Sequence, residues 1–162
     1  MVEIRKLQDE SAIDDLLSVI QQSFMTVARD FHLTRNNAPT NPAFLTMDML
    51  SESIKKGLDF YLAFDNDTLC GCVGVQPGKK EGEFYIERLA VLPYYRHMKL
   101  GKKLLDTAIE EIINRNGKII SIGIIDENKK LKQWYLNHGF VEKGTKRFGH
   151  LPFTVCFLEM DL

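Results

Sequence analysis

Apolar and polar residues alternate from Val2 to Leu7, the period-two mark of a short strand. Ile13, Leu16, Leu17, Ile20, Phe24 and Val27 then recur at three- and four-residue intervals and predict a helix, with Ser11 and Asp14 spaced as a capping start. The rhythm stops between Asp30 and Leu45. There Asn36, Asn37, Pro39, Asn41 and Pro42 predict a loop of a length that is often functional. Thr46 caps a short helix through Met47, Leu50 and Ile54, closed at Gly57. Phe60 to Phe64 and Leu69 to Val75 read as a hairpin across Asp65-Asn66-Asp67. Phe84 to Leu92 reads as a third strand, stopped by Pro93. Its faces are assigned as Phe84, Ile86 and Ala90 against Tyr85, Leu89 and Val91, and a strand apolar on both faces is expected at the centre of a sheet. Glu87 and Arg88 interrupt it, one on each face. Leu100, Leu104, Leu105, Ala108, Ile109, Ile112 and Ile113 form the strongest helical stripe, ended by Gly117. A strand over Ile119 to Ile125, a helix over Asn128 to Asn137 closed at Gly139, a short strand from Phe140 and a strand over Phe153 to Met160 complete the order β-α-α-β-β-β-α-β-α-β-β. No repeat, low-complexity tract or linker divides it, so one domain is expected over residues 1–162.

Composition narrows the function classes. Lys and Arg number 21 against 22 Asp and Glu, a formal charge of −1, which argues against sequence-independent nucleic-acid binding. No apolar run approaches the ~18 residues of a membrane span, and the start Met-Val-Glu-Ile-Arg-Lys lacks a basic-then-apolar leader. A cytoplasmic protein is expected. Cys70, Cys72 and Cys156 have neither the even count of a disulfide framework nor zinc spacing, and are expected as buried thiols. His32, His97, His138 and His150 are far apart in sequence, and nothing in the spacing suggests a metal.

The chemistry concentrates where the central strand meets the strongest helix, Val91-Leu92-Pro93-Tyr94-Tyr95-Arg96-His97-Met98-Lys99-Leu100-Gly101-Lys102-Lys103. A helix start carries unpaired N–H groups and partial positive charge, so it is a ready anion site. Gly101 removes a side chain where an anion would approach the backbone. Arg96, Lys99, Lys102 and Lys103 crowd this end, and each cation at a helix N-terminus is unfavourable by roughly 0.3–1 kcal/mol, which makes more sense if an anion binds. The competing reading is a solvated basic patch.

This stretch resembles motif A of the GCN5-related N-acetyltransferases, Arg/Gln-x-x-Gly-x-Gly/Ala after a strand, written here as Arg96-His97-Met98-Lys99-Leu100-Gly101 with Lys99 in place of the first glycine. Asn128, Tyr135 seven residues on, and then Gly139-Phe140 resemble the family's motif B. The resemblance covers nearly the whole chain. It implies an α/β (α+β) fold, a mixed, mostly antiparallel sheet of about six or seven strands flanked by about four helices. It also implies acetyl-CoA, lying in a splay between the strand ending at Val91 and the strand beginning near Ile119.

The resemblance assigns roles residue by residue. Backbone N–H groups of Lys99 and Gly101, with His97, Met98, Leu100, Lys102 and Lys103 around them and Arg96 at the head of the motif, would hold the pyrophosphate. The strand backbone at Leu89, Ala90 and Val91 would meet the pantetheine and the acetyl carbonyl, and Asn128 would meet the pantetheine arm. Tyr135 would sit near the thioester sulfur as general acid, protonated at neutral pH by its ordinary pKa of about 10. An alkylammonium must lose a proton before it attacks. Glu87 is the first candidate to take it, because a carboxylate on a central strand is costly without a role. Its bland alternative is an ion pair. Arg35 and His150 are weaker candidates for acceptor contacts. Gly74-Val75-Gln76-Pro77-Gly78-Lys79-Lys80 has the wrong spacing for a Walker A loop.

The expected activity is therefore acetyl transfer from acetyl-CoA to an amine of a small molecule or peptide, by direct attack in a ternary complex. Neither a nucleic acid nor a membrane is expected as partner, and the resemblance allows a homodimer. The rivals are a related enzyme using a longer acyl donor, a non-catalytic acyl-CoA-binding or sensor protein of the same fold, and a nucleotide-binding module using the same anion site.

Overall fold

The computed structural model describes residues 1–162. One seven-stranded sheet runs through it in the order β1-β2-β3-β4-β5-β7-β6, with β1 Val2–Lys6, β2 Asp59–Asp65, β3 Thr68–Pro77, β4 Glu83–Val91, β5 Ile119–Ile125, β6 Val141–Arg147 and β7 Thr154–Asp161. Only the β4–β5 pair is parallel. Four helices complete the fold: α1 Ile13–Asp30, α2 Met47–Lys55, α3 Leu100–Asn114 and α4 Lys129–Asn137. None is long and apolar enough to cross a membrane. The mixed, mostly antiparallel sheet and the four helices are those the sequence predicts.

Local chemistry explains most boundaries. The Thr46 hydroxyl accepts from the Met49 amide to start α2, and Gly57 at φ +106° lets the chain leave it. The start of α1 differs from expectation. Asp9, not Ser11, is the capping residue, and it opens a short 3₁₀ turn over Glu10–Ala12 from which α1 continues. The segment after α1 is more ordered than its composition suggests. Leu33, Ala38 and Ala43 bury against Ala28, and Asn41 caps a 3₁₀ turn over Pro42–Phe44. Small alanines do this packing, so no hydrophobic rhythm announces it.

Helices cover both faces of the sheet. Leu100, Leu104, Leu105, Ala108 and Ile112 of α3 and Tyr135 of α4 pack with Phe84, Ile86, Ile120, Ile122 and Leu158. Leu16, Val19 and Ile20 of α1 and Leu50 of α2 pack with Phe60, Leu62, Cys72 and Ala90 on the other face. The predicted face assignment for β4 therefore fails at three residues, all beyond Arg88. Ala90 lies opposite to Phe84 and Ile86, while Leu89 and Val91 join them. The cause is a β-bulge. Cys72 pairs with Ala90, but Gly74 pairs with Glu87, so Arg88 and Leu89 together face Val73. One extra residue inverts the alternation of everything beyond it. Arg88 absorbs the kink at φ +53°.

The far end of β4 is tied to α1 by a single side chain. Arg96 donates from Nε to the Val91 carbonyl at 3.1 Å, from Nη1 to Thr26 Oγ1 at 3.0 Å and from Nη2 to the Ser23 carbonyl at 2.9 Å. Lysine has no planar fork and cannot reproduce that set. Arg96→Lys is expected to lower unfolding stability by about 1–3 kcal/mol, read as a lower urea midpoint at unchanged slope. An unchanged midpoint would show that the three bonds carry no net stability.

Candidate active site

Backbone geometry makes the cleft. β4 and β5 pair only over Glu83–Ile119, Phe84–Ile120 and Tyr85–Ser121. Beyond that they part, and the β5-side edge of β4 from Ile86 to Val91 has no strand partner. The opening leads into a cavity of about 1070 Å³. Phe24, Val27 and the segment Ala38–Pro42 wall it on the side of α1. Leu100, Gly101, Leu131, Trp134, Tyr135 and His138 wall it on the side of α3 and α4.

The start of α3 forms one mouth. The first bond of the helix runs from the Lys103 amide to the Lys99 carbonyl, and no side chain caps it. The six amides from His97 to Lys102 have no acceptor anywhere in the protein. Such a run beside a cleft is a cradle for a multiply charged anion. Lys99, where the motif usually has glycine, sits at φ +59°, ψ +20°, and His97 at φ +68°. Each non-glycine residue held there costs roughly 1–2 kcal/mol. With Arg88, three of the six non-glycine residues at positive φ line this one cavity, the clustering expected of a functional site. A Cβ on Gly101 would lie 3.6 Å from the Trp134 ring, so glycine keeps a slot open between the helix start and the indole.

The structure redistributes the basic residues of the motif. Arg96 points back to α1, as described above. Lys102 pairs with Asp106 at 2.6 Å. Lys103 is exposed outside the cleft, with its amide committed to the helix, and the Met98 side chain is exposed as well. Lys99 lines the mouth and has no ion-pair partner. The cations thus do not converge on one point, and the amides are the convergent donors.

Deeper in, Asn128 Oδ1 caps α4 by accepting from the Leu131 amide at 3.3 Å, while its Nδ2 donates to no protein group. Tyr135 is only 5 % exposed, and its hydroxyl has no protein partner. Burial raises its pKa, so the phenol stays protonated across the physiological range. Glu87 lines the same cavity and makes no salt bridge, which removes the bland alternative of an ion pair. Burial raises its pKa too, and the adjacent Arg88 charge pulls it partly back.

Leu89 and Val91 line the cavity, whereas Ala90 is turned into the opposite core. Arg35 and His150 are not brought to it. Arg35 stacks over Phe44 in a separate shallow pocket, and His150 packs on Phe148. Their neighbours Leu151 and Phe153 do line the cleft. Trp134, tilted against His138 with ring centroids 4.2 Å apart, is a wall residue that the motif spacing does not single out. Its spacing of one turn from His138 was the available signal. Away from the cleft, Asp126, Glu142 and Cys156 offer ligand-type atoms within 4.8 Å of one another, but the Lys132 ammonium sits on both carboxylates and supplies the cation there.

Comparison with known proteins points the same way. Residues 23–140 match the model of the acetyltransferase (GNAT) family. The fold is similar to the ribosomal-protein-S18-alanine N-acetyltransferase from Escherichia coli, with TM-score 0.78, 15 % identity and coverage of 99 % of this chain and 94 % of that one. It is similar to the PaiA N-acetyltransferase from Thermoplasma acidophilum, solved in complex with coenzyme A, with TM-score 0.75, 19 % identity and coverage of 100 % and 99 %. It is also similar to a GNAT-family acetyltransferase from Staphylococcus aureus Mu50, with TM-score 0.74, 23 % identity and coverage of 100 % and 99 %. With a family match spanning most of its length and a splayed β4–β5 pair leading to an uncapped α3, this chain belongs to the GNAT acetyltransferase family.

Proposed function

We propose that the protein is an N-acetyltransferase that moves the acetyl group of acetyl-CoA to an amine by direct attack. The observation that carries this is the run of six unpartnered amides from His97 to Lys102, opening onto the same cavity as Tyr135 and Glu87. The residues fit the coenzyme. The amides bind its diphosphate, the Gly101 slot admits it beside Trp134, and Asn128 Nδ2 is free for the pantetheine arm. The open edge of β4 at Leu89 and Val91 orients that arm as a partner strand would lie. Acetyl-CoA, when bound, supplies a thioester whose acetyl carbon an amine attacks.

The side chains then manage protons. Glu87, which forms no salt bridge, takes a proton from the acceptor ammonium in its ionised form, directly or through water. Tyr135 Oη holds the proton that the leaving sulfur needs. An acetyl-enzyme on cysteine has no support, because Cys70, Cys72 and Cys156 are all buried and none lines the cleft. Calorimetric titration with coenzyme A and a thiol-release screen over amines test the reading together. Flat heats, or binding without turnover on any amine, would reject it, and the second outcome would leave the acyl-CoA-binding alternative.

Three variants separate the parts. Gly101→Ala adds a methyl at ordinary contact distance from Trp134. Its melting temperature should hold or rise, because alanine favours the helix, while coenzyme A binds about tenfold more weakly, ~1.4 kcal/mol. Equal affinity would show that the slot is not used. Tyr135→Phe should lower kcat by about 100-fold or more with coenzyme affinity and stability unchanged, since the hydroxyl bonds to nothing in the protein. Full turnover in this variant would remove Tyr135 as the acid.

Glu87→Gln should lower kcat/KM and flatten the acid limb of its pH profile. A base works only when ionised, so wild-type activity falls as pH drops through the raised Glu87 pKa. Stability runs the opposite way. A carboxyl whose pKa is raised on folding favours the folded state below its unfolded pKa, and that preference is lost as pH rises through the folded value. At neutral pH the glutamine variant should therefore melt at or above the wild-type temperature. A lower melting temperature with unchanged activity would make Glu87 structural.

A further inference from the structure

Arg88 is the unexplained charge of the cavity. Its side chain makes no hydrogen bond to protein, no carboxylate lies within 4 Å of it, and its Nη1 is buried without a partner. The other cavity arginine, Arg96, is fully committed. Glu87 is the only acid lining the cavity, and it stays unpaired. A half-buried guanidinium with one nitrogen sealed from solvent and without an acceptor is costly, and the chain holds it there through a bulge at φ +53°. The bulge is the device that turns residue 88 off the regular alternation of β4.

Placement says which ligand it serves. The Cys72 thiol donates to the Arg88 carbonyl at 3.4 Å, and Cys72 packs in the core under α1 and α2. Residue 88 thus sits at the kink with its carbonyl against the α1-side core, away from the α3 amides that take the phosphate end of the coenzyme. The cavity has lining residues on both sides of the parted sheet. On the α1 side the walls are Phe24, Val27, Ala38 and Pro42 with the uncharged polar Thr40 and Asn41, mostly apolar and without another charge. The geometry points to Arg88 as the residue that selects the acceptor: it binds a carboxylate carried by an amine with an apolar body, as in a free α-amino acid, and so presents that amine to Glu87 and the opening. This rests on the acetyl-transfer reading above and names the substrate class of the same site.

The test uses matched acceptors, phenylalanine against phenethylamine and phenylalaninamide, and lysine against 1,5-diaminopentane. It is run at the same pH for every variant. Arg88→Asn suits a left-handed backbone and removes the charge, and Arg88→Lys keeps the charge without the fork. Wild type should prefer the carboxylate-bearing partner of at least one pair by about tenfold or more in kcat/KM, the size of a charge-assisted hydrogen bond. Arg88→Asn should raise KM for that acceptor by a similar factor relative to the plain amine of its pair, with coenzyme A affinity unchanged, while Arg88→Lys keeps part of the preference. No preference in wild type, an equal loss for both members of a pair, or weaker coenzyme binding in Arg88→Asn would overturn the assignment. Should coenzyme A bind while no amine is acetylated, the transfer reading fails instead. Calorimetric titration of the coenzyme A complex with phenylalanine and lysine then decides Arg88 alone: binding lost in Arg88→Asn upholds it, and absent or equal binding refutes it.

Discussion

The site depends on a pairing that stops. β4 and β5 share three register positions and then part after Tyr85 and Ser121. In a closed sheet the N–H and C=O groups beyond that point would satisfy each other, and buried backbone groups left open are costly. The chain opens them beside a second set of unsatisfied donors, the uncapped start of α3. The two sets together make an elongated polar track with an anion cradle at one end and an open strand edge along its length. A ligand that is part diphosphate and part extended amide chain satisfies both, which is why the coenzyme reading follows from backbone more than from side chains.

Holding such an opening requires ties elsewhere. Arg96 provides one, joining the end of β4 to α1 through two carbonyls and a hydroxyl. The bulge at Arg88 provides another. It lets β4 pair with β3 on both sides of the kink while its outer half changes parity, so Leu89 and Val91 reach the cavity and Ala90 reaches the core under α1. The residue that makes the kink is also the one left without a partner.

The element order and the central place of β4 were legible in the sequence because long apolar periodicities carry them. Motif spacing likewise marked Gly101, Asn128 and Tyr135. What alternation could not reveal was the bulge: Glu87-Arg88 reads simply as two polar interruptions until the register with Cys72 and Gly74 is known. The four basic residues of the motif looked like one cluster, yet Arg96 and Lys102 have partners at residues 23, 26, 91 and 106 that spacing alone does not identify. The alanines at 28, 38 and 43 organise the wall next to α1 without hydrophobic rhythm, so that side of the cavity read as loop. Arg35 and His150 were named from loop position, and each lies beside the cavity's wall-forming residues without entering it.

The electrostatics of the cavity give the remaining step. One acid, Glu87, and one unpartnered guanidinium, Arg88, are neighbours in sequence, yet they form no salt bridge. Had they paired, each would have quenched the other, and the carboxyl would have been held low and hydrogen-bonded. Kept apart, Glu87 retains a raised pKa that suits proton uptake, and Arg88 retains donors for an incoming anion. A regular strand would send these two adjacent side chains to opposite faces, whereas with the kink at φ +53° both line one cavity. The strain at residue 88 therefore falls in the one short stretch of β4 that brings an acid and an unpartnered guanidinium to the same cavity.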